Sequence, residues 1–561
     1  MTTDSVRWFE APGDYRLGWK AAAGIVAFGA SLLLIGLGST RVLTYHEVVF
    51  AEPAKEMLAT GDFIVPKIAG IPFYDKPPAT AWTIAAAMRL FGSESEWVVR
   101  LPSVVAALAS AVILAFLATR WFGRTVGVLA GLIQLTTMHT LMQARLAEAD
   151  TLMAAGVAGA LAIFASVHLE GPSGRLRSRW APWLFYALLG WCVLAKGLIG
   201  VSFVAGACGL WLVVTRDLRV LRFLLSPIGI AIFIGMTLPW LLAADAKCPG
   251  FIDAQIHHHF GRFSGGMDRN APPLSYFYFV PLLMLPWTPL VVIGAVRVAR
   301  TGAWQDRRWW FLACWFVPGM ALLSWSVFKS KHYTIPLLPP LAVLAAVGAV
   351  EHLRWRYSLA QPRILAWAML TIVGFTAAIT AVELNHTKHA HAISSLLFVA
   401  LSGVLAMQWC EHCRWPARHL GAMFATIWLV AVGVQLGVMP AHDSYRPQTE
   451  MAHRIEQLMP LGQTLRMYVL PENQITWYLH MPIERRDRGA GLVEELEAKA
   501  TEPLYILGPL HLEQALAQHG TSQELVRCTG LNSYLTERDR LVFFRWTPDK
   551  TARADGTTTS R

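Results

Sequence analysis

Long apolar runs separated by short polar segments dominate the chain. A membrane-spanning helix needs about 20 mainly apolar residues. Thirteen runs reach or approach that length: 20–40, 99–119, 125–144, 151–168, 181–195, 197–214, 223–243, 274–296, 308–327, 333–350, 364–382, 393–410 and 420–438. They predict a polytopic all-α membrane domain over 1–440. Beyond it the pattern changes. The apolar stretches "QTLRMYVL", "ITWYLH", "PLYILG" and "DRLVFFRW" have strand length, and between them "GAGLVEELEAKA" and "HLEQALAQHG" have helical spacing. A small α/β domain over 441–561 is the expectation.

Composition agrees with this reading. Of 561 residues 55% are hydrophobic and 15% charged, against about 25% charged in soluble chains. The net charge of +11 would fit a nucleic-acid partner if it were clustered. It is instead spread over the loops between apolar runs, so no nucleic acid is expected. The run 20–40 is long enough to span and carries no A-x-A-like site, so no cleavable signal peptide is expected. Seven cysteines make no disulfide framework. Cys410 and Cys413 form one C-x-x-C without a second pair, weak grounds for zinc.

The basic loops orient the chain. Arg120 and Arg124, Arg175 to Arg179, Arg216 to Arg222, Arg297 to Arg307, Arg354 to Arg363, and Arg414 and Arg418 all fall on one side of thirteen spans, with Arg7, Arg16 and Lys20 of the N-terminus. The positive-inside rule makes that side cytoplasmic and sends the C-terminal domain outside. Segments 41–98, 244–273 and 329–334 and the turn at Asp150 then face outward.

Those outward segments hold the candidate chemistry. "TYHEVVFAEPAKEML" places His46 and Glu47 where the first span ends, on an expected amphipathic interfacial helix whose charged face would be wet. In "FYDKPPATAW" two prolines fix the backbone around Asp75 and Lys76. "QARLAEAD" places Arg145 and Asp150 at a span exit, where Asp150 is also suited to cap the next helix. Lys196 lies between two spans, Arg262 follows three histidines, and "FKSKHYT" brings Lys331 and Tyr333 to the boundary. Cations on the outer side gain nothing from the positive-inside rule. A phosphate-bearing lipid is the substrate class they fit, since ammonium and guanidinium groups pair with phosphate.

In order along the chain, "HEVVFAEPAKEML", "GDFIVPKIAGIPFYDKPP", "ARLAEAD", "LAKGLIG", "HFGRF" and "KHYTIPLLPPLA" resemble the GT-C class of membrane glycosyltransferases. The likeness is to the lipid A 4-amino-4-deoxy-L-arabinose transferases and their protein O-mannosyltransferase-like relatives. The resemblance implies transfer from a polyprenyl-phosphate sugar to a lipid or polymer acceptor at the periplasmic face of a bacterial inner membrane. It implies that Lys76, Arg262 and Tyr333 face the donor phosphate, that Asp150 is a second acid of the catalytic region, and that Asp75 and His259 match a zinc-holding pair. Departures are equally specific. His46 stands where the family has Asp, Val49 and Phe50 where it has Arg and Tyr, and Asp75 where the arabinose enzymes have Glu.

An inverting transfer needs cations to stabilise the leaving phosphate. Lys76, Arg262, Lys331 and Tyr333 are the candidates, with Lys196 and Arg145 beside them. An acceptor hydroxyl needs a base, for which Glu47 is nominated with His46 and Asp150 assisting. Two other readings are a flippase of a lipid-linked saccharide and an inactive relative. The first predicts mid-membrane charges and repeated halves, whereas the ionisable residues here cluster at span ends.

Overall fold

The computed structural model describes residues 16–38, 43–169, 179–264, 272–354, 400–409, 412–413, 415–439, 448–468, 474–481, 483–485, 502–527 and 541–548. The side chains of 258–260, 262–264, 354, 416, 438 and 485 are outside that description. Helices dominate: α1 (Trp19–Leu34), α2 (Tyr45–Thr60), α3 (Ala79–Phe91), α4 (Glu96–Phe122), α5 (Arg124–Leu135), α6 (Met138–Gln143), α7 (Ala149–His168), α8 (Ala181–Lys196), α9 (Ile199–Thr215), α10 (Arg219–Leu224), α11 (Pro227–Lys247), α12 (Phe251–Ser264), α13 (Ser275–Leu283), α14 (Thr288–Arg300), α15 (Arg307–Trp325) and α16 (Leu338–Arg354). A 3-10 segment, Lys331–Leu337, leads into α16, and a further helix covers Pro416–Gly433.

Among the described residues five helical stretches are long and apolar enough to cross a membrane: α4, α7, α11, Lys331–Leu353 and Ala417–Gly437. The pair α13 and α14 passes the same test together but bends by 104°. The apolar helices α1, α5, α8 and α9 are shorter. The run 364–382 and residues 393–399 and 410 of the run 393–410 lie outside the described residues.

Two runs expected as single helices are broken, each for a local reason. In 125–144 the Thr136 hydroxyl donates to the Leu132 carbonyl at 2.7 Å, and Thr137 caps α6 by accepting from the Thr140 amide at 3.2 Å. Side-chain bonds of this kind compete with the helical ladder. In 274–296 Pro286 supplies no amide to continue the helix. The two breaks meet: Trp287 Nε1 donates to Thr136 Oγ1 at 3.0 Å, and the Met138 amide to the Leu285 carbonyl at 2.9 Å.

The chain divides into two compact units. One comprises Met1–Thr40, Asp62–Pro66 and Phe73–Val438; the other comprises Arg41–Gly61, Lys67–Pro72 and Met439–Arg561. The core of the first runs through α4, α7, α8, α9, α14, α15 and α16, with Trp211, Trp287 and Trp315 fully buried. Gly294 of α14 and Gly348 of α16 let these helices meet backbone to backbone. A Cβ at either would strike the carbonyl of Leu344 or Leu290.

The second unit holds a short antiparallel pair, β1 (Lys67–Ile68) and β2 (Ile71–Pro72), and five further strands: β3 (Leu465–Met467), β4 (Ile483–Arg485), β5 (Leu504–Pro509), β6 (Gly520–Arg527) and β7 (Leu541–Pro548). The sheet order is β4-β3-β5-β7-β6, with β3 parallel to β4 and β5, and β7 antiparallel to both its neighbours. Strands fall within "QTLRMYVL", "PLYILG" and "DRLVFFRW" as their spacing predicts. "ITWYLH", expected as a strand, instead forms the short helix Ile475–Tyr478, with all four side chains buried. Residues 489–500, expected as a helix, lie outside the described residues. The unit also includes α2, which the sequence assigned to the membrane domain. The Leu43 amide donates to Tyr478 Oη at 2.8 Å and the Lys55 ammonium lies 5.2 Å from the Trp477 ring.

Candidate active site

In the first unit Asp150 and Lys196 form a buried ion pair, their side chains 5% and 13% exposed. Each charge suits its place in the helix. Asp150 is in the first turn of α7 and Lys196 is the last residue of α8, the ends at which an anion and a cation are respectively favoured. Asp150 does not cap α7: the cap position is Glu148 and no side-chain bond is made there. Its carboxylate is spent on Lys196. The Lys196 ammonium also lies 4.8 Å from the centre of the Tyr333 ring, a cation–π contact worth up to about 2 kcal/mol when desolvated.

Tyr333 belongs to the 3-10 segment that begins at Lys331, so the structure brings Lys331 and Tyr333 to the same end of the bundle as Asp150 and Lys196. His332 and His139 are there too, both close enough to act electrostatically on Asp150. His332 lies in the "FKSKHYT" motif already placed at the outer boundary, whereas His139 was not singled out, because an isolated histidine in an apolar run carries no pattern. Lys329, two residues earlier, is turned away. Its ammonium donates to the carbonyls of Leu323 at 3.3 Å, Ser324 at 2.9 Å, and Ser326. Burial pushes its pKa below the ordinary lysine value.

Lys76 arrives from another direction. The start of α3 is tied to the end of α8, where Thr80 Oγ1 donates to the Ala195 carbonyl at 3.3 Å. Lys76 lies four residues before Thr80, in the turn that leads into α3. The preceding segment is fastened to α11 and α12: Trp240 Nε1 donates to the Ile64 carbonyl at 2.9 Å, Lys247 to Asp62 at 2.8 Å, and Gln255 to the Tyr74 carbonyl. Val65, Ala244 and Phe251 bury a small apolar core beneath these bonds. Asp75 is exposed there. His259 lies one helical turn after Gln255 along α12. The side chains of His259 and Arg262 lie outside the described residues.

Arg145 is engaged elsewhere. Its guanidinium donates to the carbonyls of Leu33 at 2.6 Å, Ile35 at 2.9 Å and Leu32 at 3.3 Å. These carbonyls end α1, where helical acceptors lack partners. The group closes a helix end, which the sequence did not foresee.

In the second unit Glu47 is buried at 0% exposure. Its Oε2 accepts from the Thr44 amide at 2.8 Å while Thr44 Oγ1 accepts from the Glu47 amide at 3.3 Å, a capping box. Of the charged face expected to be wet, Glu47 and Glu52 are buried with the rest of 47–54, while Lys55 and Glu56 are half-buried. His46 is exposed and its ring lies 3.8 Å from that of Tyr45.

The family model for dolichyl-phosphate-mannose-protein mannosyltransferases matches residues 75–242. That stretch contains Asp75, Lys76, Arg145, Asp150 and Lys196. The fold extends the likeness over nearly the whole chain. The crystal structure of ArnT from Cupriavidus metallidurans bound to undecaprenyl phosphate superposes with a TM-score of 0.76 at 20% identity, covering 94% of this chain and 98% of the other. This chain has the GT-C fold. An archaeal representative, the oligosaccharyltransferase of Archaeoglobus fulgidus, superposes with a TM-score of 0.51 at 11% identity, over 89% and 70% of the two chains.

Among sequences, an undecaprenyl phosphate-alpha-4-amino-4-deoxy-L-arabinose arabinosyl transferase of Aeromonas salmonicida is 30% identical over 316 residues. The GT-C chain spans 55% of that relative's length. A second transferase of the same description, from Pseudomonas fluorescens, is 26% identical over 512 residues, 84% of this chain and 82% of its own. The resemblance drawn from the ordered motifs therefore holds.

Of the pair that the resemblance implies for a metal, Asp75 is described and the His259 side chain lies outside the described residues. Among the described residues no three His, Cys, Asp or Glu side chains group as ligands.

Proposed function

We propose that the chain is an inverting membrane glycosyltransferase. It moves a sugar from an undecaprenyl-phosphate donor to a lipid acceptor of the lipid A type on the periplasmic face. The observation that carries this reading is the Asp150–Lys196 pair with Tyr333 under its ammonium. A lysine held by a buried carboxylate and a ring is preorganised, and preorganised charge is what stabilises a leaving phosphate. Lys331 and Lys76 join it as phosphate-binding cations, and Arg262 is added from the sequence alone.

As the acceptor oxygen attacks the anomeric carbon, the carbon–oxygen bond to the carrier phosphate breaks and negative charge grows on that phosphate. The lysines meet it without reorganising. A base then takes the acceptor's proton. Glu47 is the nominee on the sequence match, with His46 in reserve near neutral pH. An aminopentose is the sugar class that the relatives' descriptions support, and periplasmic placement of the C-terminal unit follows from the positive-inside reading.

The test is mass spectrometry of total lipids, lipid A included, from cells lacking the protein, cells with it, and cells with Lys196→Met. The expected result is a polyprenyl-phosphate sugar that accumulates on deletion and on Lys196→Met, together with loss of the same sugar from an acceptor lipid. Three matching lipid profiles would sink the lipid-acceptor reading.

A further inference from the structure

The 3-10 segment Lys331–Leu337 and the two residues before it are held at four points. Lys329 anchors one end on the carbonyls that close α15. The Ser330 amide donates to Tyr276 Oη at 3.1 Å, and Tyr276 Oη donates to the Ser330 carbonyl at 3.2 Å. Trp315 Nε1 donates to the Pro336 carbonyl at 2.8 Å. The fourth point is in the middle, where His139 Nε2 lies 3.3 Å from Thr334 Oγ1.

The direction of that bond follows from proton counting. The Thr334 hydroxyl has one proton, and it goes to the Lys331 carbonyl at 2.9 Å. With that proton so placed, the oxygen accepts from the imidazole, and the bond is made by the tautomer that carries its proton on Nε2. Both partners are sealed from water, His139 at 1% exposure and Thr334 at 0%. An unmade bond here leaves a buried polar group without a partner, so the pair fixes the segment's register. Lys331, His332 and Tyr333 are the residues whose placement depends on it, and the Tyr333 ring is what meets Lys196.

His139 itself is placed by the helix break. It sits in α6, which Thr137 caps and whose first amide is bound by the Leu285 carbonyl at 2.9 Å. A rigid chain of contacts thus leads from the α13–α14 bend to the phosphate-binding cations.

We propose that His139 is a positioning residue for sugar transfer. Through Thr334 it holds Lys331–Tyr333 in register with Asp150–Lys196 and thereby sets the affinity for the donor phosphate. This rests on the glycosyltransferase reading above.

The test measures transfer with purified full-length protein in detergent, varying the concentration of undecaprenyl-phosphate aminoarabinose against fixed lipid A. The variants are His139→Leu, His139→Gln, Thr334→Val and Thr334→Ser. Gln places an N–H donor at the reach of Nε2, and Ser keeps the hydroxyl. Loss of one such bond corresponds to about a ten-fold effect. His139→Leu and Thr334→Val should each raise KM for the donor by about that factor, and the double variant by no more than either alone. His139→Gln and Thr334→Ser should stay within about two-fold of the parent, as a retained bond requires. A merely structural role would lower the folded fraction and the maximal rate but leave KM unmoved. An unchanged KM in a folded His139→Leu or Thr334→Val protein would overturn the inference while the transfer reading stands. A parent protein that transfers no sugar would overturn both.

Discussion

Asp150 and Lys196 face each other from the first turn of α7 and the last residue of α8, an ion pair almost wholly removed from solvent. Removing one charge from such a pair is far worse than removing both. Asp150→Asn should destabilise the protein by roughly 3–5 kcal/mol. Asp150→Asn combined with Lys196→Met should recover most of that. Neither should transfer sugar, because the phosphate-binding ammonium is mispositioned in one and missing in the other. Thermal melts in detergent beside the transfer assay check this. Full activity in the double variant would remove Lys196 from the chemistry.

Glu47 has two proposed duties that a single substitution separates. Its carboxylate closes a capping box with Thr44, and Gln fills that position equally well. Glu47→Gln should therefore melt close to the parent, while transfer falls by about a hundred-fold or more if the carboxylate is the base. Glu47→Ala should lose about 1 kcal/mol of helix stability as well. Near-parental turnover of Glu47→Gln would leave the residue as a cap and shift the base to another group.

Arg145 satisfies three carbonyls at the end of α1. Arg145→Met leaves those acceptors buried without donors, at about 1–3 kcal/mol each for groups that find no water. The expected outcome is a lowered melting temperature with an unchanged KM for the donor. A raised KM at unchanged stability would instead restore Arg145 to the phosphate site where its sequence position put it.

Asp306 provides a pH dependence at a loop outside the spans. Burial alone would raise its pKa from the ordinary 3.8, but hydrogen bonds from the Arg308 guanidinium and amide outweigh burial and hold it lower. A depressed carboxylate adds stability above its unfolded pKa and loses it as pH falls through the folded one. Melting between pH 6 and pH 3 should therefore fall in acid less steeply for Asp306→Asn than for the parent. Parallel curves would dissociate the pair from stability.

The apolar helices were legible because hydrophobic runs report solvent directly. A helix in lipid must hide its backbone, so its length shows in the sequence. The breaks at Thr136 and Pro286 were less legible, since a threonine bonding its own helix looks like any other residue in an apolar run. Lys76, Lys196, Arg262 and Lys331 were selected as candidates by asking which cations the positive-inside rule does not explain, and Tyr333 by the resemblance. Arg145 was selected from "QARLAEAD", and its guanidinium meets the end of α1.

The sequence by itself determined the apolar helices, the family likeness and the residue types available for a phosphate. Those follow from local composition and order along the chain. Only the tertiary structure decided that Asp150 pairs with Lys196 rather than capping its own helix, that α2 joins the C-terminal sheet unit, and that His139 grips Thr334. These depend on contacts between residues as far as 435 positions apart. Which of several equivalent acceptors a buried polar group finds is settled by packing, and packing has no local signature.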